Sequence, residues 1–62
     1  MKPRDAFEAE ARIHREIAAR VRRLARGLSL NEDRLRIDRF ANELVGRAAE
    51  LEAAADALRR GP

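Results

Sequence analysis

Between residues 30 and 58 a large apolar side chain returns every seven residues, at Leu30, Ile37, Leu44, Leu51 and Leu58. A second heptad series, Ala41, Ala48 and Ala55, runs beside it, and Phe40 and Arg47 occupy a flanking series. At 100° per residue these positions line one side of an α-helix. Large residues alternating with small ones at this spacing form a coiled-coil seam in which alanine lets two helix axes come close.

The rest of the chain fits the same reading. Breakers are confined to Pro3, Gly27, Gly46, Gly61 and Pro62, and only five residues are β-branched, so strands have little to build on. Arginine and alanine, 13 of each, dominate together with leucine and glutamate, the residues that lose least on entering a helix. The expected fold is all-α: one domain over residues 1–62, an antiparallel hairpin with helix one over about 5–26, a turn over about 27–31 and helix two over about 31–60. Asp5, with Glu8 three residues later, is expected to cap helix one, and Gly27 to end it in the left-handed conformation. Ser29 to Glu32 has the form of a capping box, with Asn31 a competing cap. Gly61 and Pro62 end helix two. Gly46, inside helix two, costs about 1 kcal/mol relative to alanine.

Helix one carries a matching stripe. Phe7, His14, Val21 and Leu28 form one heptad column, Glu10, Ile17 and Leu24 the next, and Ile13 lies alongside. Folding at the turn brings Leu24 near Ile37 and Ile17 near Leu44. A chain of 62 residues buries only about 60% of the surface its unfolded form exposes, and this one has no cysteine for a disulfide and one histidine, too few ligands for a structural zinc site. The remaining staple is self-association, so the hairpin is expected to pair into a homodimeric four-helix bundle whose core includes Ile13, Ile17, Val21, Leu24 and Leu28 from helix one.

Other surfaces are candidates for binding. Asn42, Gly46, Ala49, Ala53 and Ala57 step along the back of helix two and offer a groove for a partner protein's helix, with alanine filler on a solvated face as the alternative. Glu10 and Arg47 are expected to pair and fix helix register. Glu10 and His14 have E-x-x-x-H spacing, not the E-x-x-H of carboxylate-bridged di-iron bundles, so no metal or cofactor is expected.

Residues 1–27 hold eight basic and four acidic side chains, residues 28–62 six and seven, so the positive charge belongs to the first half. Arg12, Arg15, Arg22, Arg23 and Arg26 on the outer face of helix one are candidate nucleic-acid contacts, weighed against a solvated face of i,i+4 ion pairs. No aromatic interleaves them, which removes base stacking. Catalysis is not expected, because one serine and one histidine without cysteine or tyrosine cannot assemble a nucleophile, base and orienting group. No apolar run approaches the roughly 20 residues of a membrane span, and the charged start of the chain is unlike a secretion signal. The apolar stripe is needed for the core, which argues against a membrane-surface role. A cytoplasmic location is therefore expected.

Two helices of 22 to 30 residues, a central turn and heptads on both give a layout that resembles the Rop family of plasmid copy-number regulators. That resemblance implies a dimeric four-helix bundle that binds paired RNA loops along one face. The dense arginine cluster here, Arg22, Arg23 and Arg26, lies near the turn, and no motif carries the family's RNA-contacting residues over.

Overall fold

A computed structural model describes residues 2–61. It consists of two helices, α1 over Pro3–Ala25 and α2 over Asn31–Arg60, packed against each other as a hairpin. Helix α1 begins two residues earlier than expected. Pro3 occupies the first helical turn, where its fixed φ suits the helix and its missing N–H is no loss. Lys2 is therefore the N-cap, and Asp5 sits inside the first turn against Arg4 at 3.5 Å instead of capping the helix.

The connection corrects two further expectations. Gly27 is not left-handed; the only glycine with positive φ among the described residues is Gly61, at 55°. The end of α1 tightens instead, with the Gly27 and Leu28 N–H groups donating to the carbonyls of Leu24 and Ala25, both at 3.1 Å. Leu30, in extended conformation, is the N-cap of α2, and neither Ser29 nor Asn31 makes a side-chain cap. The hydroxyl of Ser29 stands one residue too early to serve a helix that starts at Asn31. Glu32 and Asp33 in the first turn complement the helix dipole in its place, as do Arg59 and Arg60 in the last. Gly61 ends α2 through its N–H to the Ala57 carbonyl, at 3.2 Å. Pro62, read from sequence as part of that stop, lies outside the described residues.

The interior of the single chain is narrower than the core expected of the dimeric bundle. The buried residues are Ala11, Ala18 and Ala25 of α1 with Ala41, Ala48, Leu51 and Ala55 of α2. Two alanine columns at heptad spacing thus form the centre of the seam, flanked by half-buried Phe7, His14 and Val21 on α1, Leu28 in the connection, and Ile37 and Leu44 on α2. Ile13, Ile17, Leu24, Phe40 and Leu58, expected in the core, are exposed to between 38% and 66% within the chain. The reason is geometric. Two helices alone enclose only the strip directly between them, and alanine, which lets the backbones approach, occupies that strip.

Candidate functional site

Helical geometry gives the hairpin two unlike long edges. Around α1 the heptad columns follow in the order Phe7/His14/Val21, then Ala11/Ala18/Ala25, then Glu8/Arg15/Arg22; around α2 the order is Leu44/Leu51/Leu58, then Ala41/Ala48/Ala55, then Glu52/Arg59. The two charged columns meet across the seam. Arg59 donates to Glu8, Arg15 donates through Nε and Nη2 to the two Glu52 oxygens at 2.7 and 2.6 Å, and Arg22 donates to the Asn42 side-chain oxygen at 2.8 Å. The Arg15 hydrogen bonds, opposed by a smaller desolvation effect and aided by the charge of Arg15, hold the Glu52 carboxyl below the usual carboxylate range. One edge is therefore a polar ladder.

Because the charged columns share that edge, the bulky columns of both helices share the other. Beyond them stand Ile17 and Leu24 on α1 and Phe40 on α2, with Ile13 and Leu58 close by, all exposed. This apolar edge runs from Phe7 and Leu58 at the open end to Leu24 and Phe40 near the turn. The hairpin measures 50 × 17 × 10 Å over its Cα atoms, so it is one helix thick, and none of the described residues covers this face.

The other sequence candidates fall on neither edge or are divided between them. The alanine column Ala11, Ala18 and Ala25 was missed although it repeats at the same heptad spacing as Ala41, Ala48 and Ala55. The expected Glu10/Arg47 contact is not made within the chain: Arg47 pairs with Glu50 at 3.2 Å, and Glu10 contributes its carbonyl to the His14 ring Nδ1 at 2.8 Å. Asn42, Gly46, Ala49, Ala53 and Ala57 are all exposed, and a Cβ added at Gly46 would meet nothing within 4 Å. Of the five candidate nucleic-acid contacts, Arg15 and Arg22 are engaged in the ladder, whereas Arg12, Arg23 and Arg26 are exposed. Near the turn Arg22, Arg26 and Arg34 line a shallow cleft with Ala25 and Asp38. Among the described residues no group of three or more His, Asp or Glu could hold a metal ion, and no helix is long and apolar enough to cross a membrane.

Compared with models of protein families, with curated proteins and with solved structures, the chain matches none. The likeness to the Rop family rests on layout alone.

Proposed function

We propose that the chain is a non-enzymatic helical hairpin of the cytoplasm that self-associates through its apolar edge and works as a protein interaction module. The observation that carries this reading is the inversion of the interior: alanines are buried while Ile13, Ile17, Leu24, Phe40 and Leu58 stand in solvent. Domains are built from at least two packed layers, and this hairpin supplies one. Its accessible surface is 4842 Å², whereas a compact monomer of 7.0 kDa exposes about 4,000 Å². The excess, about 800 Å², equals one partner's share of a standard-size interface. A face of 50 by 17 Å can supply it. Sedimentation or light scattering at micromolar concentration tests the reading; a folded monomer over that range overturns it.

The second reading is nucleic-acid binding, favoured by the cleft that joins Arg34 of α2 to Arg22 of α1 and Arg26 just after it. A titration with duplex DNA and structured RNA at two salt concentrations separates the two. Phosphate binding gives a log–log slope near −0.9 per phosphate contacted on B-DNA, and no binding at about 50 mM salt removes it.

A further inference from the structure

The polar ladder does not end as it begins. Two of its rungs are balanced, Glu8 against Arg59 and Arg15 against Glu52. The same register sets Arg22, next in the α1 column, opposite Val45, so this guanidinium meets no carboxylate and donates to the neutral Asn42 side chain instead. At the turn the seam itself changes. The α2 column that is alanine at Ala55, Ala48 and Ala41 continues as Arg34, and Arg34, Arg22, Arg26 and Asp38 surround a cleft of about 300 Å³ beside the buried Ala25. Three arginines face one carboxylate there, a surplus of two positive charges. Among the described residues neither Arg26 nor Arg34 is in an ion pair. The α1 dipole accounts for Arg22 and Arg26 at its negative end, but helix chemistry does not account for Arg34. It lies at the positive end of the α2 dipole, where a cation is disfavoured, and it precedes Asp38 by four residues, the weaker order for a helical ion pair. The stronger order, Asp56 before Arg60, does pair, at 2.9 Å.

From this arrangement we infer that the cleft is a binding site for inorganic phosphate, in the form of the hydrogen phosphate dianion. The two charges of the dianion equal the local surplus, and guanidinium groups from both helices and the connection offer paired N–H donors to its oxygens. The volume suits a small ligand, at the lower end of the roughly 300–1,000 Å³ of small-molecule pockets. Asp38 then selects within the class. Hydrogen phosphate keeps a P–OH group at neutral pH that can donate to a carboxylate, whereas sulfate, of the same charge and shape, has no proton to give and meets Asp38 as a repulsive group. A phosphodiester carries a single charge and no P–OH, so this ligand is distinct from a nucleic-acid backbone. Arg22 and Asp38 belong to the columns of the polar edge, so the cleft stays open whether or not the apolar edge is covered, and its occupancy is independent of self-association.

The test is a titration of the isotope-labelled protein with sodium phosphate, followed by backbone amide shifts in nuclear magnetic resonance at constant ionic strength and slightly alkaline pH. Saturable shifts centred on residues 22–26 and 34–38 are expected, with sodium sulfate binding at least about tenfold more weakly. Arg34→Gln removes a cation that the helix dipole disfavours and is expected to lower phosphate affinity about tenfold with the fold intact. Arg26→Gln, just beyond α1, repeats that measurement should the Arg34 variant unfold. Asp38→Asn is expected to bring the two anions towards equal affinity, and an unchanged ratio overturns the selecting role of Asp38. Shifts that never saturate, equal affinity of the unaltered protein for both anions, or undiminished phosphate binding in the arginine variants overturn the site. Duplex DNA that binds these arginines where phosphate does not overturns it as well, in favour of the second reading above.

Discussion

The two long edges of this hairpin are built from the same two helices yet solve opposite problems. The polar edge is complete within one chain: Glu8 meets Arg59, Arg15 meets Glu52 and Arg22 meets Asn42. The apolar edge is incomplete, with Ile17, Leu24 and Phe40 left exposed by the described residues. Exposed ion pairs contribute little to stability, whereas each large apolar side chain contributes about 1.5–3 kcal/mol when fully buried. The edge that looks finished therefore adds little energy, whereas covering the unfinished one, as proposed, would add most of it.

The sharpest way to break this contrast is to destroy the seam that separates the edges. Ala48 is fully buried against the facing helix, so Ala48→Leu forces the backbones apart and is expected to lower stability by about 3 kcal/mol, read by denaturant unfolding followed by circular dichroism. A neutral result would mean the helices do not meet through alanine. Next comes Ile17→Lys, on the apolar edge. Its side chain would be buried in both copies of a dimer, and the dissociation constant is expected to rise about 100-fold by sedimentation equilibrium. An unchanged association would show that this edge faces water in the working protein.

Gly46→Ala lies on neither edge, in open space on the outside of α2, and is expected to stabilise the protein by about 1 kcal/mol in thermal unfolding. A loss of stability instead would reveal a close approach at that face. The smallest effect belongs to the polar ladder. Arg15→Ala is expected to move the unfolding midpoint by about 2 °C or less. Because the folded-state pKa of Glu52 is lowered, the contribution of this pair is fully present above the unfolded carboxylate value and is lost as pH falls through the lowered one. In Arg15→Ala that part of the acid dependence disappears.

The hairpin itself was legible because helix formers, heptads and the placement of breakers all agree, and α2 runs over Asn31–Arg60 as the periodicity implies. The caps were not legible. Ser29 and Asp5 have the right side chains, but a proline and an extended leucine set the first helical residues, and side-chain chemistry follows the backbone there. The interior was half legible. The column Ala41, Ala48 and Ala55 stood out beside leucines, whereas Ala11, Ala18 and Ala25 were hidden among 13 alanines and overshadowed by Ile17 and Leu24. Bulk identifies what must be covered eventually. It does not identify what two helices enclose first. The candidate site followed the same logic, since Arg15 and Arg22 read as outward-facing arginines only while the column opposite them, Glu52 and Arg59, is left out of account.

An alanine side chain has no rotamers to lose, so the seam forms without the entropy that a leucine interface gives up on ordering. Helix pairing of this kind needs only local chain closure, on a timescale far shorter than the meeting of two molecules at micromolar concentration. In the proposed dimer the apolar edge of each chain would therefore be laid out before the second copy arrives. Self-association as proposed would then be the docking of two preformed faces, with concentration governing its last step.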